Sequence, residues 1–346
     1  MLVAAVVAAV VGGLIGAVVA HFAWSTDSGS AGACAGTSVA DEVLPSVVTI
    51  SANGARGQAG GTGSGEIIRS DGYILTNNHV VSVAANGGSV EVLLSDGRSY
   101  PATIVGRDPQ TDLAVLKASD LKSPKVIALG QSENLAVGQP VVALGAPLGL
   151  SSSVTSGLVS ALGRTVQVPG DNDASALLAD AIQTDASINP GNSGGALVDC
   201  SGDLVGIPTA GATVPGPSGQ SSAGSIGIGF AIPVNLATLV ADEIINTGTV
   251  SHAFLGLQAA PISASVAQQA GVTEGLYVSR VTSAGPAADA GLRAGDVITE
   301  VNGEAATSAD QLVALTLTKR AGDTVALTYQ RDGQSKNTTL TLGRQP

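Results

Sequence analysis

Aromatic residues are scarce in this sequence. Phe, Trp and Tyr together make up 2% of the 346 residues, whereas glycine occurs 46 times. A core with so few aromatic side chains must be built from Val, Leu, Ile and Ala, and the many glycines permit tight turns between short elements. The composition therefore favours short strands over long helices, in a chain long enough for two domains of ordinary size.

Basic residues are also few. Lys and Arg number 15 against 27 Asp and Glu, which gives a formal net charge of -12. Nucleic acid binding depends on neutralising phosphates with basic side chains, so we expect no nucleic acid partner. Cys and His are nowhere clustered at the spacing of metal ligands, so we expect neither a metal nor another cofactor.

Charge is missing altogether from the start of the chain. Met1–Ala20 is apolar apart from three glycines, and a helix of that length crosses the roughly 30 Å of hydrocarbon in a bilayer. We predict that residues 1–24 form a single-pass transmembrane helix or, as Val18–Ala20 would allow, a cleaved signal segment. Residues 25–38, rich in Ser, Gly, Ala and Thr, are predicted to be a flexible tether. The rest would then be extracytoplasmic, held at the cell membrane or secreted after cleavage.

Cysteine occurs only at Cys34 and Cys200, both in the part of the chain that this topology places outside the cytoplasm. A disulfide persists in such a compartment. We therefore expect a single bridge between them, with two unrelated buried thiols as the alternative.

Residues 39–246 are predicted to form the first domain. Short β-branched runs recur there between glycine turns, a pattern typical of an antiparallel barrel or sandwich, and Pro233–Ile245 indicates one closing helix. Gly61–Gly65 lies between strands and is interpreted as a glycine hairpin. Two stretches of small residues, Gly163–Ala174 and Ala210–Ser225, are predicted to be surface loops.

Residues 251–346 are predicted to form a small α+β domain of several strands with one or two helices. One helix start is marked clearly, because Ser308 and Gln311 have the spacing of a capping box. Leu312, Leu315 and Leu317 would supply its apolar face.

Only three histidines are available for chemistry: His21, His79 and His252. His21 borders the apolar N-terminal stretch and His252 lies between the predicted domains, so histidine-dependent catalysis in the first domain would depend on His79. Asp112 opens an otherwise apolar strand, where a buried carboxylate needs a partner such as an imidazole N–H. Asp185 is the alternative acid.

The run Gly191-Asn-Ser-Gly-Gly places a serine between glycines, immediately before an apolar strand. Glycines allow backbone amides to converge, so the Gly191 and Ser193 amides could bind the oxygen of a tetrahedral intermediate while the Ser193 hydroxyl attacks. We predict the oxyanion hole within Gly191, Asn192 and Ser193. An acyl hydrolase would instead carry its Gly-x-Ser-x-Gly elbow between a strand and a helix, whereas Gly191–Gly195 is followed by an apolar strand.

The motifs Thr-Asn-Asn-His-Val, Thr-Asp-Leu-Ala-Val-Leu, Gly-Asn-Ser-Gly-Gly and Gly-Ile-Gly-Phe-Ala-Ile-Pro occur in this order. They resemble the HtrA (Deg) family of serine proteases from about residue 39 to 342. The resemblance implies a mostly β fold, with a two-barrel chymotrypsin/trypsin-like protease domain followed by a PDZ domain. It also implies a triad of His79 as base, Asp112 as its orienting acid and Ser193 as nucleophile.

The resemblance further implies where substrate binds. The primary pocket would be partly set by Ser187 and Ile188, and the strand that pairs with substrate matches Ile226, Gly227, Ile228 and Gly229. The two small-residue stretches fall where the family has its activation loops. In the second domain, the loop that binds a peptide's C-terminal carboxylate matches Phe254, Leu255, Gly256 and Leu257, although Phe254 and Leu257 could instead be core residues.

The family also implies partners. These are misfolded or signalling proteins of the cell envelope, in protein quality control and the stress response, and peptide C-termini at the PDZ domain. A homotrimer is a further expectation. A rival hypothesis from another class is an envelope scaffold or chaperone, with peptide capture as its main activity and a misformed resting active site.

Overall fold

A computed structural model describes residues 34–55, 60–146, 153–170, 175–211, 225–270 and 273–345. The predicted transmembrane helix in residues 1–24, and residues 25–33 of the predicted tether, lie outside these ranges. Within them, no helix is long and apolar enough to cross a membrane.

The first six strands close into an antiparallel barrel in the order β1-β2-β3-β6-β5-β4. They are β1 Val47–Asn53, β2 Gly61–Ile67, β3 Tyr73–Asn77, β4 Ser89–Leu94, β5 Ser99–Asp108 and β6 Leu113–Lys117. Alternate residues of a strand face the same side, so Val48, Ile50 and Ala52 of β1 all pack into one buried cluster. Gly61–Gly65 is part of β2, so its interpretation as a hairpin was wrong.

The next six strands close into a second barrel in the order β10-β11-β12-β9-β8-β7. They are β7 Pro140–Gly145, β8 Ser153–Pro169, β9 Ser175–Thr184, β10 Ala196–Val198, β11 Leu204–Gly211 and β12 Gly229–Pro233. A shared apolar cluster joins the barrels, with Val47 and Leu75 from the first and Val142 and Leu144 from the second.

The long β8–β9 hairpin differs from the sequence prediction. Gly163–Ala174 was expected to be a surface loop, but β8 continues to Pro169 and pairs with β9 as far as Ser175. The β-branched residues Thr165, Val166 and Val168 of this segment favour a strand, and pairing with β9 holds it. The other predicted loop, Ala210–Ser225, lies outside the described residues except at its ends.

Six α-helices are described: α1 Gly36–Val43, α2 Asn78–Val81, α3 Val234–Thr247, α4 Ala264–Ala270, α5 Pro286–Asp289 and α6 Ala309–Thr318. Three short 3₁₀ turns accompany them, at Leu44–Ser46, Ser82–Ala84 and Ser132–Asn134. The α3 helix lies where the sequence predicts a closing helix.

The α1 helix overlaps the end of the predicted tether at residues 36–38. Val39 and Val43, one helical turn apart, are 4% and 2% exposed and join the cluster between the barrels. Just before the helix, a disulfide joins Cys34 to Cys200 in the β10–β11 turn. Apolar burial and this bridge hold the segment against the second barrel, so residues 36–38 are helix rather than tether.

The C-terminal part forms a sheet in the order β14-β15-β16-β18-β19, with β17 beside β16 and a separate β13-β20 pair. The strands are β13 Ala253–Phe254, β14 Leu257–Ile262, β15 Gly275–Val281, β16 Val297–Val301, β17 Glu304–Ala305, β18 Thr324–Arg331, β19 Gln334–Thr341 and β20 Gly343–Arg344. Ser308 and Gln311 form the predicted capping box at the start of α6, which confirms that prediction.

Both apolar and polar contacts tie this part to the barrels. Leu317 of α6 is 1% exposed and packs with Leu177 and Ala179 of β9. His252 Nε2 lies 2.9 Å from Asp108 Oδ1, and both side chains are buried. A helix of the second domain and the segment that enters it are thus both anchored on the barrels.

Candidate active site

His79 and Asp112 lie together beside the first barrel. The α2 helix follows β3 directly and carries His79, whose Nδ1 lies 2.8 Å from Asp112 Oδ2. The His79 backbone amide donates to the other carboxylate oxygen, Asp112 Oδ1, at 3.0 Å. The Asp112 side chain is 1% exposed and that of His79 is 37% exposed. One buried carboxylate therefore fixes both the ring and the backbone of His79, while the ring stays accessible.

The backbone of Asp112 is constrained as well. Its φ is 57°, in the left-handed region that Asp tolerates better than most residues. The Asp112 carbonyl oxygen accepts hydrogen bonds from the Asn78 amide at 3.0 Å and from Asn77 Nδ2 at 2.8 Å. These bonds lock the turn before β6 and hold the carboxylate under the His79 ring.

Ser193 lies in the glycine-rich loop before β10. Its hydroxyl donates to the Thr209 carbonyl oxygen at 3.3 Å, and no hydrogen bond joins it to His79 among the described residues. Gly194 has a φ of +77°, and a Cβ there would lie 2.4 Å from the Ser64 carbonyl oxygen. Only glycine therefore permits this tight approach of the loop to β2.

The amides of the same loop divide into two groups. The Asn192 amide donates to the Asn189 carbonyl at 3.0 Å, so it is not free to bind an oxyanion as the sequence prediction allowed. The amides of Gly191 and Ser193 have no acceptor within the described ranges. The Asn192 side chain is buried and donates to the Ser187 carbonyl at 3.2 Å. Asn192 therefore shapes the loop, and Gly191 and Ser193 remain the available donors.

Asp185, the alternative acid, is used elsewhere. Its Oδ1 accepts a hydrogen bond from the Leu158 amide at 2.6 Å, across the β8–β9 hairpin. The carboxylate beside His79 is that of Asp112.

The predicted pocket residues surround this loop. The Ser187 carbonyl also accepts from Thr155 Oγ1 at 3.1 Å. Ile188 is 4% exposed and packs closely on Gly229, where a Cβ would lie 2.4 Å from Ile188 Cγ1. Ile226 is 43% exposed, and Ile226, Gly227 and Ile228 immediately precede β12, which begins at Gly229. Ile188 therefore places a buried apolar side chain next to Ser187 in the chain.

The predicted carboxylate loop links β13 to β14. The Leu255 carbonyl accepts from the Ala287 amide at 3.0 Å, and the Gly256 carbonyl accepts from the Thr282 amide at 2.8 Å. Leu255 is 5% exposed, so it is a core residue, whereas Leu257 is only partly buried. Strand β14 lies at the edge of its sheet, which leaves its outer side open to a further strand.

Sequence reasoning missed three residues that connect these groups: Ser64, Asn77 and Thr209. Asn77 Nδ2 bonds to Thr209 Oγ1 at 2.8 Å as well as to the Asp112 carbonyl, and so connects the Asp112 turn to the strand that accepts the Ser193 hydroxyl. Ser64 contacts the glycine-rich loop that carries Ser193 directly. Their partners are remote in sequence, and the glycines around Ser64 were the only signal.

Glu66, two residues after Ser64, has a perturbed pKa. It is 0% exposed, and neither carboxylate oxygen has a hydrogen-bond partner in the described structure. Desolvation by burial raises the pKa of the Glu66 carboxyl well above its ordinary value, outweighing the smaller lowering effect of the residue's own backbone amide. The group therefore favours the protonated, neutral form.

Comparison with known proteins agrees with this architecture. The Trypsin-like peptidase domain family matches residues 63–207 and the PDZ domain family matches residues 253–342. Serine protease PepD of Mycobacterium tuberculosis is 47% identical over 313 residues, which cover 88% of this chain and 65% of that protein. A probable periplasmic serine endoprotease DegP-like of Halomonas elongata is 41% identical over 286 residues, 82% of this chain and 56% of that protein. The chain thus spans less than two thirds of the length of these curated relatives.

Solved structures match along most of the chain. HtrA-type protease AlgW with decapeptide has a TM-score of 0.68 at 36% identity, covering 90% of this chain and 98% of that one. The serine endoprotease from Yersinia pestis has a TM-score of 0.61 at 34% identity, with 90% and 98% covered. Two closed barrels followed by a PDZ domain define a trypsin-like serine protease with an attached PDZ domain. Within that class, the chain belongs to the HtrA family, which confirms the resemblance seen in its motifs.

Proposed function

We propose that this protein is a serine endopeptidase in which His79, Asp112 and Ser193 form the catalytic triad. The observation that carries the proposal is a pair of hydrogen bonds between the buried Asp112 carboxylate and His79. One joins the carboxylate to the ring at 2.8 Å and the other joins it to the backbone amide at 3.0 Å. A carboxylate at Nδ1 fixes the imidazole tautomer and stabilises the imidazolium that forms when Nε2 takes a proton.

The reaction begins with a rotation of the Ser193 side chain. Its hydroxyl leaves the Thr209 carbonyl and bonds to His79, which removes the proton as the oxygen attacks a peptide carbonyl. The Gly191 and Ser193 amides bind the resulting oxyanion. His79 then protonates the leaving amine. It next takes a proton from the water that attacks the acyl enzyme, and it returns that proton to Ser193 Oγ as the carboxylic acid product leaves.

Substrate preference follows from the pocket. Ile188 is buried beside Gly229, and Ser187 carries no charge, so a Lys or Arg side chain would be buried there without a partner. We therefore propose cleavage after Val, Ala or Leu. Ile226 to Gly229 would pair with the substrate backbone as an added strand. Mass spectrometry of casein fragments tests this, and cuts mainly after Lys would contradict it.

The PDZ domain would bind the C-termini of peptides. Strand β14 is open at its outer edge, and the α6 residues Leu312 and Leu315 pack in the same core as Leu257, so α6 forms the opposite wall of a groove. Successive amides at residues 254–257 would receive the terminal carboxylate. Fluorescence anisotropy with matched free and amidated peptides tests this, because only a carboxylate site loses charge-assisted bonds on amidation.

The cellular location and the substrates are proposed from the N-terminal sequence and from the family. Met1–Ala20 would anchor the chain as a single-pass helix, or be cleaved as a signal, with both folded domains extracytoplasmic. The name of the Halomonas relative, which includes the word periplasmic, supports this side of the membrane. Substrates would be misfolded or signalling proteins of the envelope.

Casein digestion by wild type and by Ser193→Ala tests the central proposal. We expect hydrolysis by the wild type and almost none by the variant. The bond from Ser193 to Thr209 favours one rival, a peptide-capturing scaffold with a resting site that does not turn over. Casein binding without cleavage by the wild type would support that rival and overturn the peptidase.

A further inference from the structure

Ser64 lies in the middle of β2 and its side chain reaches across to the second barrel. It is 0% exposed. Its hydroxyl donates to the Gly191 carbonyl at 2.6 Å and accepts from the Ala146 amide at 2.8 Å. One serine side chain therefore bridges the nucleophile loop and the segment that follows β7.

The Ser64 backbone adds two bonds in the same region. Its amide donates to the Ser193 carbonyl at 2.9 Å, and its carbonyl accepts from Thr76 Oγ1 at 2.6 Å. Ser64 thus binds the carbonyls of both Gly191 and Ser193, the two residues whose amides are proposed to bind the oxyanion. The serine itself is held in place by β3.

The loop needs such a restraint. Gly191 has a φ of +99°, and a glycine rotates more freely than any other residue. The peptide that joins Gly191 to Asn192 is held at its carbonyl by Ser64 Oγ and at its amide by the Asn189 carbonyl. The Asn192–Ser193 peptide is held by a bond from the Gly195 amide to the Asn192 carbonyl at 2.9 Å. Ser64 Oγ is therefore a side-chain restraint on the peptide that follows Gly191.

We propose that Ser64 is a positioning residue of the oxyanion hole, whose hydroxyl fixes the Gly191–Asn192 peptide and so keeps the Gly191 and Ser193 amides aimed at the substrate oxygen. The inference rests on the proposed peptidase function. Ser64 touches no reacting atom and acts through Gly191. An oxyanion hole contributes most when its donors are fixed before reaction, which is what this bond provides.

Ser64→Ala, with Ser46→Ala as its matched control, tests the proposal. Ser46 is also buried, at 1% exposed, and donates a 2.6 Å bond to a backbone carbonyl, that of Val43, but it lies outside the site. Loss of one oxyanion donor costs about 10²–10³ in kcat. Ser64→Ala keeps both donors but releases the loop, so we expect kcat to fall roughly 10- to 100-fold with KM changed less than about twofold. Ser46→Ala should stay within about twofold of wild type in both.

A transition-state analogue separates positioning from general destabilisation. A peptide boronic acid forms a tetrahedral adduct on Ser193, so its Ki should rise in Ser64→Ala by the same factor as kcat/KM falls. Melting temperature checks folding. Ser64→Cys keeps the approximate size of the side chain and a weak donor, so it should give an intermediate kcat. It replaces Ser64→Ala in these assays if the alanine variant does not fold.

Crystal structures of wild type and Ser64→Ala give a readout that needs no turnover. We expect the Gly191–Asn192 peptide to be rotated or to adopt two orientations in the variant. An unchanged peptide, or unchanged kcat and boronate Ki, would overturn the role of Ser64 and leave the peptidase proposal intact. A wild type without hydrolytic activity would overturn the peptidase proposal, and the peptide orientation would still decide whether Ser64 positions the loop.

Discussion

Replacing Glu66 should stabilise the protein, and more so as the pH rises. Glu66 pairs in register with Val47 on one side and Leu75 on the other, and both belong to the apolar cluster between the barrels. Directly paired residues share a face of the sheet, so the carboxyl points into that cluster. Ionising it there without a partner is costly, and burial raises its pKa well above the ordinary value.

The sign of the effect follows from proton binding. The unfolded chain releases the Glu66 proton near the ordinary pKa of about 4.3, whereas the folded chain keeps it up to its raised pKa. Between these two values the folded state binds more protons, so the free energy of unfolding falls as the pH rises. The stability that depends on a protonated Glu66 is fully present below the pKa of the unfolded chain. It is lost as the pH rises through the raised pKa of the folded chain. While the pH lies between these two pKa values, the slope is about 1.36 kcal/mol per pH unit.

Urea unfolding of wild type, Glu66→Gln and Glu66→Leu at pH 5, 6, 7 and 8 measures this. The free energy of unfolding of both variants should rise relative to that of the wild type as the pH rises. Glu66→Leu should be the more stable variant at pH 8, because an apolar side chain suits the cluster. Glu91→Gln, an exposed position on β4, is the control and should follow the wild type. The reasoning would be refuted if the difference in free energy of unfolding between wild type and Glu66→Gln stayed constant from pH 5 to pH 8 within about 0.5 kcal/mol.

Three further predictions concern other parts of the chain. Asp112→Asn should lower kcat by about 10⁴ in a peptide hydrolysis assay, because the amide would favour the wrong imidazole tautomer; a loss below tenfold would contradict its role. Arg331→Ala should destabilise the PDZ domain by roughly 1.5–3 kcal/mol in urea unfolding, because the buried Asp296 loses a partner that bonds both carboxylate oxygens at 2.7 Å and keeps, among the described residues, only the Arg293 amide; an unchanged free energy of unfolding would contradict this. Replacing Cys34 and Cys200 by Ser should cost about 3–5 kcal/mol, since the bridge closes a loop with a sequence separation of 166; an unchanged midpoint in unreduced samples would argue against that constraint.

Local signals in the sequence were sufficient for part of the fold. The α6 helix was predicted from Ser308 and Gln311 because a capping box depends on only four neighbouring residues. The α1 helix was missed, although Val39 and Val43 have helical spacing, because small residues around them resemble a tether. Strand β9 was missed because its pairing with β8 and with the more remote β12 decides its conformation.

The candidate site was also only partly predictable from the sequence. His79, Asp112 and Ser193 stand in recognisable motifs, so each could be named from the sequence, and the structure brings His79 and Asp112 into contact. The proposed role of Ser64 could not be predicted, because its bond to Gly191 joins residues 127 positions apart. Such contacts depend on how two closed barrels meet, and no local pattern encodes that geometry.

The bridge between Cys34 and Cys200 has a consequence for the integrity of the molecule. His79, Asp112 and Ser193 all fall inside the loop that it closes. A single backbone cut anywhere in that loop leaves both fragments linked through sulfur, so neither can diffuse away. Self-digestion threatens any endopeptidase, and here a nicked chain would run as one species on a non-reducing gel and as two after reduction. The cross-link therefore makes the catalytic domain tolerant of an internal cut in a way that packing alone does not.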